Sequence, residues 1–258
     1  MTSVNLSARV RCILLLAIDV GNTNVVFALY DGETQITQWR VETSNFNAED
    51  KLDVIEASKV SDVIVCSVVP DVNKIIERIC QEKFNIAPVF ITHENCGIDI
   101  DIDTPSQMGA DRLVVAVAAY GFGHLPAIIV DLGTATTFDV INEKGVHCGG
   151  VIAPGINLSL AALEQAAAQL PDIEIAKTKN VIGKNTKDAM QSGIYWGYIS
   201  LIEGLIEKLS GEISGKPHVI ATGGLAPLFE QGTNKFDFVD SDLIMKGLVH
   251  IHKGLEKA

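Results

Sequence analysis

The chain has 258 residues, of which 47% are hydrophobic and 20% are charged, a balance typical of globular proteins with one large domain or two smaller ones. The formal net charge is −12, and no run rich in lysine or arginine offsets it, which argues against nucleic acid as a partner. The five cysteines form no Cys-x-x-Cys pair, which argues against a zinc framework and favours reduced thiols in a cytoplasmic protein.

The apolar run at 12–18 resembles a short signal peptide, because Arg9 and Arg11 precede it. The run ends at Asp19 without a cleavage site, and it is far too short to span a membrane. We therefore predict a buried strand here and no association with a membrane.

The first part of the chain contains six segments with the patterns of strands or helices. The strands are predicted at 12–19, 25–30, 34–43, 63–68 and 88–91, and the helix at 72–84. Short connections between the first three strands predict an antiparallel meander. The later alternation of strand and helix indicates an α/β sheet layered with helices.

The next helix is predicted to begin at Thr104, because Thr104, Pro105 and Gln107 have the spacing of a capping box. It should run through Gly109 to about Tyr120. Residues 113–119 are apolar on nearly every side, which predicts a helix buried between layers or between subunits.

The pattern restarts in the second part of the chain. Strands are predicted at 127–130, 138–142, 146–152 and 217–221, a long helix at 187–209 after the cap candidates Asn185 and Thr186, and a last helix from a Ser241 cap to about Leu255. The strand endings at Asp19 and Asp131 share one pattern: an apolar strand, Asp, an apolar residue, Gly and small polar residues. This weak repeat predicts two similar half-domains, 1–119 and 120–258.

The Asp-x-Gly-Asn-Thr turn at Asp19 has the residues that a phosphate loop needs. Glycine allows close approach of the backbone to a phosphate, Asn and Thr supply donors, and Asp can hold Mg²⁺. One copy alone is better explained as an ordinary turn. Two copies favour a pair of loops that clamp a polyphosphate, as phosphoryl transfer requires. A third loop, Thr222-Gly223-Gly224, suits a nucleotide base, although a simple loop is at least as good an explanation.

Asp111 and Arg112 are adjacent at a predicted helix start, and two interpretations are open. Asp111 could simply favour the positive end of the helix, with Arg112 in a surface ion pair. Alternatively, Asp111 is a base for a hydroxyl proton, and Arg112 clamps a carboxylate or phosphate. The absence of a Walker A motif, of the protein-kinase signatures and of a dinucleotide fingerprint argues against P-loop, protein-kinase and Rossmann classes.

Taken together, these motifs resemble the type III pantothenate kinases over nearly the whole chain. The resemblance is carried, in order, by Asp19-Val20-Gly21-Asn22-Thr23-Asn24, Gly109-Ala110-Asp111-Arg112, Asp131-Leu132-Gly133-Thr134, Gly149-Gly150-Val151-Ile152-Ala153-Pro154-Gly155, Gly183-Lys184-Asn185-Thr186 and Thr222-Gly223-Gly224. It implies two actin-like (ribonuclease H-like) half-domains, each with a mixed sheet flanked by helices, and an ATP cleft between them.

The resemblance also implies an activity, transfer of the ATP γ-phosphoryl group to the primary hydroxyl of pantothenate, the first step of coenzyme A synthesis. Asp111 would accept the proton, Asp19 would hold Mg²⁺, and Asp131 would hold a monovalent cation, K⁺ or NH₄⁺. The implied ATP contacts are Asp19, Val20, Gly21, Asn22, Thr23, Asn24, Val25, Val26, Gly133, Thr134, Gly223 and Gly224. The implied pantothenate contacts are Gly109, Ala110, Asp111, Arg112 and Thr186. The family is cytoplasmic and homodimeric.

Three positions depart from the family pattern: Ala167 where Thr is usual, Ile102 where Tyr is frequent, and Val115 where Asn is frequent. Each change could remove a hydrogen bond to the acceptor, with a net value of about 1 kcal/mol. Two alternatives therefore stay open, a kinase for another small hydroxy acid or sugar, and a non-catalytic nucleotide-binding regulatory homologue. The retention of Asp111, Arg112 and both loop aspartates favours the enzyme.

Overall fold

The computed structural model describes residues 14–46, 56, 59–166 and 171–257, and contacts divide the chain into two compact units between Phe90 and Ile91. The sequence analysis instead predicts the boundary between the two half-domains after residue 119. The difference is the segment 91–119, whose helix packs against the last helix and two strands of the second unit. None of the described helices combines the length and apolar composition needed to cross a bilayer.

The first unit contains one mixed sheet and one helix. Its elements are β1 (Leu14–Val20), β2 (Asn24–Asp31), β3 (Thr34–Glu42), β4 (Val60–Ser67), α1 (Pro70–Phe84) and β5 (Val89–Phe90). The strand order is β3-β2-β1-β4-β5. The antiparallel meander is confirmed by the β1–β2 and β2–β3 pairs, and β4 runs parallel to β1. Cys12 and Ile13, at the start of the first predicted strand, lie outside the described residues.

The second unit repeats this topology and adds helices. Its strands are β6 (Ala127–Leu132), β7 (Ala135–Ile141), β8 (His147–Pro154), β9 (His218–Thr222) and β10 (Phe238–Val239), in the order β8-β7-β6-β9-β10. Its helices are α2 (Ala110–Gly121), α3 (Ile156–Ala166), α4 (Thr186–Ser210), α5 (Ala226–Glu230) and α6 (Leu243–Leu255). In both sheets the first strand pairs antiparallel with the second and parallel with the fourth, which explains the weak sequence repeat.

The second sheet separates two apolar layers. Ile128, Val130 and Phe138 pack with residues of α4 on one face. Ile129 and Ile141 pack with the fully apolar part of α2 on the other, in one buried cluster. Because side chains alternate between the faces of a strand, every second residue of β6 and β7 points toward α2. This alternation decides which polar residues of these strands can reach the start of α2.

The predicted capping box at Thr104 is wrong. Thr104 makes no side-chain cap, and Pro105–Gln107 form a single 3₁₀ turn closed by the N–H groups of Gln107 and Met108. Met108 and Gly109 are then extended, with ψ of 130° and 140°, so α2 begins only at Ala110. The consequence is that Asp111 lies in the first turn of the helix.

The other two predicted caps have different outcomes. Asn185 is confirmed as the cap of α4, since its side chain accepts a hydrogen bond of 2.9 Å from the N–H of Asp188. The predicted Ser241 cap is wrong, because α6 starts at Leu243 after Asp242, which makes no side-chain cap. Three short or weakly patterned elements, α3, α5 and β10, are absent from the sequence prediction.

The crossing of α2 and α6 predicts a matched pair of substitutions. A Cβ atom on Gly247 would lie 2.3 Å from the carbonyl oxygen of Val114, whereas a Cβ on Gly254, in the same helix, would contact nothing within 4 Å. We expect Gly247→Ala to lower the free energy of unfolding by about 1–3 kcal/mol. Gly254→Ala should raise it by at most about 1 kcal/mol. Urea unfolding of both variants checks this, and equal effects at the two positions would contradict the close crossing.

Candidate active site

The predicted second phosphate loop begins at Asp131, close to the end of β6. Asp131 lies two residues after Ile129, so it shares the face of the sheet that packs against α2. Burial, followed by the charges of Asp111 and Asp139, raises the pKa of Asp131 from 3.8 to about 7. Across the part of the chain that the structure describes, no hydrogen bond to the Asp131 carboxylate offsets this. A half-buried carboxylate whose ionised form is disfavoured in this way is stabilised by a cation.

Two glycines from different loops lie against the same carboxylate. A Cβ atom on Gly223, whose φ is +89°, would lie 2.5 Å from Asp131 Oδ1, and one on Gly133 would lie 3.3 Å from that oxygen. A side chain at 223 is therefore excluded by both backbone conformation and space. Gly224 and Thr134 follow these glycines and are exposed. The structure thus brings together residues that the sequence assigned to two separate ATP-binding motifs.

The start of α2 adds the predicted acceptor motif to this region. Gly109 is the cap residue, Ala110 is the first helical residue, and Asp111 Oδ1 accepts a hydrogen bond of 2.8 Å from the N–H of Arg112. Burial raises the pKa of Asp111, the charge of Asp139 raises it further, and the Arg112 N–H opposes both effects. Asp111 is therefore a stronger base than an exposed aspartate, which suits proton abstraction near neutral pH.

Two residues that the sequence prediction missed complete the site, Asp139 and His147. Both side chains are fully buried, and His147 Nε2 lies 2.8 Å from Asp139 Oδ1. Arg112 Nε and Nη2 lie 2.9 Å and 2.8 Å from the same oxygen. An aspartate inside the apolar strand β7 was the available signal, since a buried carboxylate needs a partner. Nothing in the local sequence identified that partner as Arg112.

Gly150 leaves space for the Arg112 side chain. Gly150 is the β8 residue directly opposite Asp139. A Cβ atom on Gly150 would lie 1.8 Å from the carbonyl oxygen of Phe138 and 2.9 Å from Arg112 Nη2. The second glycine of the Gly-Gly pair therefore has a physical role, because any side chain at 150 would displace the guanidinium or the strand.

The first predicted phosphate loop lies in the first unit, between β1 and β2. The N–H of Gly21 donates to the carbonyl oxygen of Asn24 at 2.9 Å, and Thr43 Oγ1 donates to the carbonyl oxygen of Gly21 at 2.7 Å. Asn22 and Thr23 are exposed at the tip of the turn. Among the other residues of this predicted loop, Val20 and Val25 are buried, and Asp19, Asn24 and Val26 are half-buried. The loop is thus a fixed turn that exposes polar groups.

The remaining predicted positions fall in different places. Thr186 is exposed as the first residue of α4. Ile102 is half-buried and approaches the Cβ position of Gly149 to 3.8 Å, next to the Arg112 site. Val115 lies in the apolar cluster between α2 and the sheet. Ala167 lies outside the described residues.

Comparison with known proteins shows which family the chain belongs to. The family model of the type III pantothenate kinases matches residues 15–208. The chain belongs to the type III pantothenate kinase family. Two relatives of that name support the assignment: one from Paramagnetospirillum magneticum, 45% identical over 93% of this chain and 97% of its own length, and one from Rhodospirillum rubrum, 46% identical over 93% and 98%.

Solved structures agree with the fold of this type III pantothenate kinase family member. A Baf family protein from Campylobacter jejuni is similar with a TM-score of 0.63, at 20% identity over 94% of this chain and 100% of its own. A candidate N-acetylmannosamine kinase from Listeria monocytogenes is similar with a TM-score of 0.51, at 12% identity over 94% of this chain and 100% of its own. Two mixed five-stranded sheets flanked by helices, as in sugar-kinase-like ATPases, confirm the predicted fold class.

Proposed function

We propose that this protein transfers the γ-phosphoryl group of ATP to the primary hydroxyl of pantothenate, giving 4′-phosphopantothenate. Members of the type III pantothenate kinase family are ATP-dependent kinases, and this chain is one of them. The observation that carries the proposal is the start of α2, where Asp111, a base of raised pKa, lies close to Asp131 of β6, and Arg112 pairs with the buried Asp139 of β7.

In the proposed reaction the acceptor oxygen forms a bond to the γ-phosphorus while the bond to the β,γ-bridging oxygen breaks and ADP leaves. Asp111 accepts the hydroxyl proton. Arg112 binds the carboxylate of pantothenate, since a guanidinium matches a carboxylate in geometry and charge. Gly109, Ala110 and Thr186 are proposed to complete acceptor binding.

The proposed ATP contacts come from the residues that the sequence analysis assigned to three loops. They are Asp19, Val20, Gly21, Asn22, Thr23, Asn24, Val25, Val26, Gly133, Thr134, Gly223 and Gly224. The exposed polar tip of the first loop and the glycine loops at Asp131 support this assignment.

Kinases of this kind use ATP with Mg²⁺, and Mg²⁺ needs few protein ligands because phosphate oxygens and water supply the rest. Within the described residues no three side chains of His, Cys, Asp or Glu cluster as a metal site. One protein carboxylate is therefore sufficient to bind Mg²⁺, and we assign this role to Asp19. Asp131 is a half-buried oxygen ligand whose charge is offset by no hydrogen bond from the described residues, so it fits a monovalent cation such as K⁺ or NH₄⁺, which would neutralise the carboxylate.

A coupled ADP-release assay with ATP, Mg²⁺ and pantothenate, run in K⁺ and then in Na⁺, tests the function. We expect turnover that depends on pantothenate and rises with K⁺. A folded protein without pantothenate-dependent turnover in either salt would refute the proposed acceptor. Screening of other hydroxy acids and sugars would then separate a changed acceptor from a non-catalytic homologue. The predicted homodimer is tested on the same sample by sedimentation equilibrium.

A further inference from the structure

The Arg112 guanidinium is held along one edge only. Its Nε and Nη2 atoms both point at Asp139 Oδ1, at 2.9 Å and 2.8 Å, and its side chain is 17% exposed. Hydrogen bonds of its Nη1 atom to other described residues are absent. Five N–H donors in a fixed plane cannot all be directed at one oxygen, so the Nη1 edge is the part that can bind a ligand.

Asp139 is in turn held by His147. The N–H of Gly149 donates to His147 Nδ1 at 3.2 Å, so Nδ1 is the acceptor nitrogen of the ring. The ring proton is then on Nε2, which donates to Asp139 Oδ1 at 2.8 Å. Thr137 adds a long contact of 3.4 Å to the second oxygen of Asp139. The hydrogen bonds thus run in one direction, from the backbone of Gly149 through His147 to Asp139, where Arg112 also donates.

This arrangement affects the charges around Asp111 at the start of α2. The charge of Asp139 raises the pKa of Asp111, and the charges of Asp111 and Asp139 both raise the pKa of Asp131. An unconstrained Arg112 could pair with Asp111 and lower its basicity, because an adjacent cation stabilises the ionised carboxylate. The contacts with Asp139 occupy Nε and Nη2, so these two atoms form no ion pair with Asp111, although the charge of Arg112 still lowers the pKa of Asp111.

We propose that Asp139 and His147 are positioning residues for the acceptor: they fix the Arg112 guanidinium so that its Nη1 edge receives an anionic group of the substrate. The inference rests on the proposed function for the identity of that substrate. The positioning itself concerns only this chain's own side chains.

The kinetic test compares Asp139→Asn, His147→Leu and His147→Gln with the wild type. Gln keeps an N–H donor near the position of Nε2, whereas Leu removes it, so the two His147 variants form a matched pair. Each enzyme is assayed with pantothenate and with pantothenol, the neutral alcohol in which a hydroxymethyl group replaces the carboxylate. We expect Asp139→Asn and His147→Leu to raise KM for pantothenate by about tenfold or more, the range of one charged hydrogen bond. KM for ATP and KM for pantothenol should change by less than about twofold. In His147→Gln, KM for pantothenate should stay close to the wild-type value.

A second measurement keeps the inference independent of the acceptor. The ¹⁵Nε–¹H signal of Arg112, assigned with the Arg112→Lys variant, should exchange slowly with water in the wild type and rapidly in His147→Leu. If the wild type does not phosphorylate pantothenate but this signal is protected, the proposed function fails and the positioning of Arg112 stands. An unprotected signal in the wild type, or folded variants whose KM values for pantothenate and pantothenol rise equally, would overturn the inference.

Discussion

Replacing Asp111 by asparagine should lower kcat for phosphoryl transfer to pantothenate by about 10²- to 10⁴-fold, the usual contribution of a general base. Asparagine has nearly the same shape, and its side-chain oxygen can still accept the hydrogen bond from the N–H of Arg112. The fold should therefore be unchanged. Since burial disfavours the ionised form of Asp111, the melting temperature should stay equal or rise. Single-turnover kinetics and thermal unfolding measure the two effects on one sample.

The matched control is Asp101→Asn, the same chemical change at an exposed position on the segment that precedes α2. It should leave kcat and KM within about twofold of the wild type, as surface substitutions usually do. Near-normal turnover by Asp111→Asn would remove Asp111 from its role as base. A loss shared equally by both variants would indicate a general effect of charge at this end of the molecule.

The half-buried Asp131 and the fully buried Asp139 should respond to substitution by asparagine with opposite changes in the free energy of unfolding. Raising the pKa of Asp131 from 3.8 to about 7 corresponds to about 4 kcal/mol against its ionised form. In buffer without K⁺ or NH₄⁺ at pH 8, we therefore expect Asp131→Asn to raise the free energy of unfolding by about 1–4 kcal/mol, since the amide stays partly desolvated. Asp139 instead pairs with Arg112 and His147, so Asp139→Asn should lower that free energy by about 3–5 kcal/mol.

The sign of the pH dependence follows from the same values. The folded-state pKa of Asp131 lies above its unfolded value, so ionisation destabilises the wild type as pH rises from 3.8 toward 7. The difference in free energy of unfolding between Asp131→Asn and the wild type should thus shrink toward zero as pH falls to about 4. Urea unfolding at several pH values, without and with K⁺, checks this. Added K⁺ should stabilise the wild type and leave Asp131→Asn unchanged. Destabilisation by Asp131→Asn in K⁺-free buffer would contradict the raised pKa of Asp131 and its lack of a hydrogen-bond partner among the described residues.

Much of the fold could be predicted because its strands are strongly patterned. The near-continuous apolar runs of β1 and β6 indicate central strands buried on both faces, and the short turns after them indicate hairpins. The elements that were missed are weakly patterned: α5 and β10 have five and two residues. The start of α2 was placed too early because a capping-box spacing says nothing about the extended backbone of Met108 and Gly109.

The residues of the candidate site that belong to local sequence motifs could be predicted. Asp111, Arg112 and Asp131 each lie at the end or start of a recognisable element. The Asp139–His147 pair could not be found in this way, because its contacts join β7 to β8 and α2 through sheet register and helix packing. Val115 was considered because the family often has Asn at this position, and the structure places its side chain in the apolar cluster under α2.

The shared topology of the two sheets has an evolutionary consequence. Such a match is what duplication of one ancestral unit would leave, and strand register identifies the equivalent positions. Asp139 lies opposite Ile129 on β6, and its counterpart opposite Ala17 on β1 is Ala28, which is fully buried. One copy thus has a plain apolar residue where the other has a charged one. Specialisation after duplication would then have required a few polar replacements on one strand pair, with the architecture of both copies conserved.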